Sequence, residues 1–299
     1  MSKIAFCFLS FFLGLSTFAN QIDQDNINII EVEKEIDLSL NAKKTLKKSF
    51  LQIGLGVGYG IVPHYPASDQ SSSKSLALPV IVYRGDILKS DQEEGTRAEL
   101  YTSRELDINL SFGARFSNDS KDNRARVGMS DLNYILEVGP SINYKILREK
   151  KKRLFTLQVP LRFTTETNFK MYNYLGVVFE PEIKLQFFNA GVPNLNLTSS
   201  LSLEFFSDRI AKYFYEVESR YATIERPSYD SRAGFSTVTL GQSVSYDYRD
   251  YKIVAGVNYN DYSFSENRNS PLYKTKNNYS VFSALIWFFY EKQSVRDID

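Results

Sequence analysis

From Leu51 onward apolar and polar residues alternate, and this period of two constrains the chain more than anything else in it. Leu106, Ile108, Leu110, Phe112, Ala114 and Phe116 are interleaved with Asp107, Asn109, Ser111, Gly113 and Arg115. Phe155, Leu157, Val159, Leu161 and Phe163 are interleaved with Thr156, Gln158, Arg162 and Thr164. Side chains of a strand point alternately to opposite faces, so each stretch is a strand with one apolar and one polar face. Similar ladders start at Leu51, Tyr134, Pro181, Leu195, Val238 and Tyr251.

A soluble sandwich would also alternate. Three features favour a membrane barrel instead. The strands reach the length of about 10 residues that a tilted strand needs to cross a bilayer. Aromatics gather near strand ends, at Tyr144, Tyr246, Tyr248, Tyr259 and Phe288-Phe289-Tyr290, as interfacial girdles do. The polar faces carry full charges, among them Asp107, Arg115, Glu137, Arg162, Glu180, Glu182, Lys184, Glu204 and Lys252, which a dry core would avoid. Only a closed sheet satisfies its backbone in lipid. The expectation is an all-β protein, a transmembrane antiparallel up-and-down β-barrel.

Connector lengths set its topology. Short turns at 102–104, 147–152, 189–194 and 249–250 alternate with long polar connectors at 60–75, 117–131, 166–176, 208–233 and 261–278. Turns facing the periplasm and loops facing outward give ten strands and periplasmic termini. Counting strand-like 78–84, 97–101 and 212–217 as further hairpins gives the alternative of twelve.

The N-terminus carries an export signal by pattern. Lys3 precedes an apolar stretch from Ile4, with Thr17 and Ala19 placed for cleavage after Ala19. Residues 1–19 are thus a signal peptide, 20–49 a polar periplasmic arm, 50–290 the barrel and 291–299 a polar tail. The sequence has one Cys, Cys7, and one His, His64, which argues against a disulfide scaffold, a zinc site and most histidine chemistry. Lys and Arg total 36 against 35 acids, too balanced for a nucleic-acid binder.

Few residues suggest chemistry. His64, Ser68 and Asp69 lie too close in sequence for a triad, whose members normally come from distant segments, so His64 is expected to be a surface loop residue and the chain not an enzyme. No metal or cofactor is expected. Gly54, Gly56, Gly58 and Gly60 leave one inward wall bare, either to bend the strand or to admit an inward loop such as 213–217. Glu137, Arg162, Glu180, Glu182, Lys184 and Lys252 form either a selectivity ring for a solute or an ion-pair network closing the lumen. Lys150, Lys151, Lys152 and Arg153 make a basic turn that could meet peptidoglycan or an acidic partner. Arg124, Arg126, Arg220, Arg226, Arg232, Arg268 and Lys274 fall in outward loops, where lipopolysaccharide phosphates offer pairing.

Four passages carry a family resemblance. They are Gly54-Leu-Gly-Val-Gly-Tyr with Pro63-His-Tyr-Pro-Ala-Ser-Asp and Leu78-Pro-Val-Ile-Val-Tyr-Arg-Gly-Asp; Gly128-Met-Ser-Asp-Leu with Glu137-Val-Gly-Pro; Lys212-Tyr-Phe-Tyr-Glu-Val with Tyr229 and Gly234; and Ser270-Pro-Leu-Tyr. In order and spacing, from about Leu51 to Tyr290, the chain resembles the MipA/OmpV family, the MltA-interacting outer-membrane proteins. It departs from the family pattern in the polar residues after Tyr290 and in Glu216, where a glycine is usual. The resemblance implies a scaffold that docks a lytic transglycosylase and a murein synthase at the outer membrane. The alternative is a small-solute channel.

Overall fold

The structure is a computed structural model that describes residues 47–84, 88–91, 95–102, 105–149 and 152–296. The signal, most of the arm, Lys150, Lys151 and 297–299 lie outside these residues. In chain order the strands are β1 (Lys47–Pro63), β2 (Ser71–Arg84), β3 (Leu88–Asp91), β4 (Gly95–Thr102), β5 (Leu106–Arg115), β6 (Tyr134–Glu149), β7 (Arg153–Thr167), β8 (Tyr172–Phe179), β9 (Glu182–Phe187), β10 (Leu195–Phe206), β11 (Gly234–Tyr248), β12 (Tyr251–Asp261) and β13 (Asn277–Arg296). Among the described residues one α-helix, α1 (Asp208–Tyr215), lies between β10 and β11.

Every strand pair in register is antiparallel, and the pairings run in a ring: β13 neighbours β1, and β11 pairs with β10 as well as β12. Strands β8 and β9 lie end to end, both paired with β7 and both with β10, with Glu180 and Pro181 at the break. Among the described residues there are thirteen strands in twelve places, since β8 and β9 share one, where ten strands or the alternative of twelve were expected. The difference comes from the short β3–β4 hairpin and from that break, where proline has no N–H for a ladder. The strand-like 212–217 belongs mostly to α1, because Ile210, Ala211, Phe214 and Tyr215 repeat at helical spacing and are buried on one face. Strand β13 continues to Arg296, so the expected tail contributes six residues to the sheet.

Burial is inverted relative to a soluble protein. Along β6, Ile135, Glu137, Gly139, Ser141, Asn143 and Lys145 are buried, while Tyr134, Leu136, Val138, Pro140, Ile142 and Tyr144 are exposed. Exposed alternate residues such as Leu55, Val57, Tyr59 and Ile61 on β1 and Val281, Leu285, Trp287 and Phe289 on β13 extend the same outward apolar face. A contiguous face of this size needs an apolar solvent. Tyr251 stacks on Trp287 near one rim and Tyr259 tilts against Tyr279 near the other, as girdles do. Phe288 is not part of a girdle: its ring lies 3.0 Å from the position a Cβ on Gly54 would take, on the inner face.

The short turns and both strand termini sit at one end, and the longer loops at the other. At the loop end the chain builds a packed lid. Tyr65, Leu132, Phe206, Ile210, Phe214, Tyr215, Tyr262 and Leu272 form its core, drawn from four loops, α1 and the strand ends. Helix α1 packs on β8 and β10. It does not fill the glycine wall of β1; the atoms nearest to Gly54, Gly56, Gly58 and Gly60 belong to β2 and β13.

Candidate functional site

The site is the lumen beneath the lid. Inward positions of β5, β6, β7 and β10 and the β8–β9 break bring together five charged side chains. Arg115 Nε donates to Glu137 Oε1 at 2.8 Å, and Arg162 Nε to Glu137 Oε2 at 2.9 Å. The other arm of Arg115 pairs with Glu204, and that of Arg162 with Glu180. The result is an alternating row, Glu204, Arg115, Glu137, Arg162, Glu180, whose two cations and three anions leave one negative charge in excess. Ser202 Oγ donates to Glu180 at 3.1 Å, and the Arg115 guanidinium lies over the rings of Phe206 and Phe214.

This row crosses the lumen. Strands β5 and β10 are four steps apart in the ring, roughly 19 Å along the wall at the usual strand spacing. Yet Arg115 and Glu204 touch directly. Above the row lies a cavity of about 480 Å³, roofed by lid residues such as His64, Tyr65, Tyr213 and Tyr262 and walled on the far side by Thr237, Thr239, Asn258 and Asn260. Nearer the turn end, Lys145 pairs with buried Asp107 at 2.5 Å.

Of the six expected lumen charges, three meet in this row: Glu137, Arg162 and Glu180. Glu182 and Lys184 pair with each other at 3.2 Å, and Lys184 also reaches Gln158. Lys252 turns to Asp247 at 3.7 Å. They do not form a single ring. Arg115 and Glu204 were legible as inward charges, but their pairing was not, because alternation fixes the face of a residue and not which wall it reaches. Of the basic turn, Lys152 and Arg153 are described and exposed, next to the start of β7.

The lid is held by polar side chains aimed at backbone carbonyls. Arg226 donates to Ala125 O at 2.9 Å and Val127 O at 3.0 Å, and Arg126 reaches Phe214 O and Ser130 O, each at 3.3 Å, while covering the Tyr65 ring. Arg126, expected on the outside, is buried. Tyr65 Oη donates to Leu272 O at 2.8 Å and Ser270 Oγ to Tyr215 O at 2.6 Å.

His64 is likewise buried rather than on the surface. Asn118 Nδ2 holds its carbonyl at 2.7 Å, and Asn123 Nδ2 lies 3.0 Å from Nδ1 and 3.3 Å from Ser68 Oγ. Asp69 pairs with Arg124 instead. Burial first, then Lys74, pulls the His64 pKa below its ordinary value. The unfolded chain therefore takes up its proton first, and stability rises with pH. His64 thus stabilises the lid fully above the ordinary histidine pKa, and this contribution is lost as pH falls through its lowered value. Limited proteolysis of the lid loops should quicken as pH drops below about 6, and His64→Gln should flatten that dependence. An unchanged profile in the variant would contradict this role.

The family model described as MltA-interacting protein MipA matches residues 55–289. Among curated proteins, none matches the chain. Among solved structures, the chain is similar to the toluene transporter TbuX of Ralstonia pickettii at 10% identity and a TM-score of 0.30, covering 82% of this chain and 90% of that one. For the toluene transporter TodX of Pseudomonas putida the values are 10% and 0.29, covering 83% and 69%. For the outer membrane protein OprD of Pseudomonas aeruginosa they are 7% and 0.25, covering 85% and 95%. The family match spans nearly the whole described sheet, and the polar-in, apolar-out wall is what such a protein needs in the outer membrane. The chain belongs to the MltA-interacting protein MipA family and is an outer-membrane β-barrel protein.

Proposed function

We propose that this protein is a non-enzymatic scaffold that docks murein-remodelling enzymes, a lytic transglycosylase and a murein synthase, at the inner rim of the outer membrane. The observation that carries the reading is the charge row across the lumen beneath a packed lid, an arrangement that favours a rigid support over an open conduit. The family description supplies the class of partner. In this reading residues 1–19 direct export and are removed, the residues from 20 to the start of β1 at Lys47 form a periplasmic arm, and the outer loops meet lipopolysaccharide. The turn end faces the periplasm, and Lys150, Lys151, Lys152 and Arg153 offer a cationic contact there.

The test is retention of the two enzymes by the folded barrel at physiological salt. Retention of both is expected, and charge reversal at Lys152 and Arg153 should weaken it about tenfold or more, as replacing rim attraction by repulsion slows encounter and changes the salt dependence. Failure to retain either enzyme would sink the scaffold. A small-solute channel is the second reading, favoured by the cavity of about 480 Å³. It calls for conductance in planar bilayers whose ion selectivity shifts in Glu182→Gln or Lys184→Gln; the scaffold calls for little conductance.

A further inference from the structure

The wall is not uniformly paired. Strand β5 pairs with β4 only up to Leu110, opposite Ala98, which leaves Ser111–Arg115 without a strand neighbour on that side among the described residues. Strand β2 pairs with β3 only at Arg84, opposite Lys89, so Ser71–Tyr83 lacks one too. Pro79 stands within that stretch of β2, and proline inside a sheet is confined to edges and bulges. Near the loop end side chains bridge the interval among the described residues: Lys74 Nζ donates to Ser117 O at 2.8 Å, and Ser72 Oγ to Asn118 Oδ1 at 3.4 Å. On the β5 side the unpaired stretch is roughly 14 Å tall at the usual rise per residue.

Two further observations bear on this interval. The cavity above the charge row is lined on most strands by inward residues, but on β5 also by Phe112 and Ala114, which face outward. It therefore borders the stretch of β5 that has no strand neighbour among the described residues. The inner wall beside the interval is also apolar. Cross-strand partners share a face, and the register opposes Leu76, Leu78 and Val80 to Gly58, Gly56 and Gly54. Leu76 and Leu78 thus point inward, with 44% and 51% of their surfaces uncovered. The bare glycine wall beside them leaves room that larger side chains would fill.

The geometry points to a lateral portal between β2 and β5, through which a hydrocarbon chain of the surrounding bilayer enters the lumen and lies against Leu76, Leu78 and Val80. Unpaired backbone at membrane depth is tolerated where it is buried in protein or lines a wet cavity. The interval is where lumenal water meets hydrocarbon, which suits an amphiphile. The lipid is its source because the portal opens through the outward apolar face, whose nearest exposed member, Phe112, is 58% uncovered.

The experiment uses the folded full-length barrel in phosphatidylcholine vesicles brominated on the acyl chains. The background is Trp287→Phe, which removes the only tryptophan. Leu78→Trp should lose its emission to the same extent as the lipid-facing Val57→Trp, while the lumen-facing Asn258→Trp keeps most of its own. Quenching of Leu78→Trp no greater than that of Asn258→Trp would overturn the portal, as would equal quenching at all three positions. If Leu78→Trp does not reach the protease-resistant folded state, Leu76→Trp provides the same comparison, and the same two patterns overturn the proposal.

Discussion

Gly139→Ala should abolish or severely impair barrel folding. A Cβ at Gly139 would sit 1.9 Å from the carbonyl oxygen of Leu161 and 2.9 Å from the Cα of Arg162, and both are backbone atoms that no rotamer change can move. The sequence arranges this approach. Pro140 has no N–H to give, and the β6–β7 pairing lapses between Val138–Phe163 and Ser141–Pro160, so the two backbones close on each other at a glycine. Overpacking a tight core costs about 1–3 kcal/mol even where side chains can adjust; here the strands themselves must part. The control is Gly58→Ala, whose nearest neighbour would lie at 3.6 Å, an ordinary contact. In urea titrations of the refolded barrel, Gly58→Ala should keep the wild-type midpoint and Gly139→Ala should yield little folded protein. A Gly139→Ala barrel with the parental midpoint would refute the close approach.

The second large effect concerns the centre of the charge row. Glu137 accepts from both Arg115 and Arg162 and is almost wholly buried. Glu137→Ala leaves two guanidinium groups in the lumen sharing the carboxylates of Glu204 and Glu180. Removing one partner of a buried pair typically costs about 3–5 kcal/mol. The lower end applies here, because each arginine keeps one carboxylate and Arg115 is partly in contact with solvent. Glu182→Ala is the contrast. Its pair with Lys184 is a quarter exposed on both sides and should contribute about 0–1 kcal/mol. Equal losses in the two variants would mean that the row does not hold the lumen together.

Much of this was legible in the residues. Alternation fixes the faces of β5, β6 and β7, and the order of short and long connectors places the long loops at one end. Alternation did not resolve β13, which is apolar on both faces: Val281, Leu285, Trp287 and Phe289 point outward, whereas Phe282, Ile286 and Phe288 face the lumen beside the glycine wall. Nor did it reveal the lid. Segment 208–215 has strand-like aromatics, but its apolar positions repeat at helical spacing, and its helix becomes stable only by burying them against Phe206 and Val178. His64 and Arg126 read as surface residues because loops are generally exposed; four loops that pack on one another bury their polar side chains and bond them to backbone. The pairings of the charge row depend on which walls approach across the lumen, and that distance is a property of the folded sheet.

The central claim is that the exposed apolar face of this sheet is solvated by hydrocarbon, and Trp287 tests it with no substitution. It is the only tryptophan, lies on the outward face of β13, and stacks on Tyr251 near the turn-end rim. In vesicles with brominated acyl chains its emission should be strongly quenched, most by bromine placed close to the headgroups, and should be shielded from aqueous iodide. Emission untouched by brominated lipid but quenched by iodide would place that face in water and contradict the account.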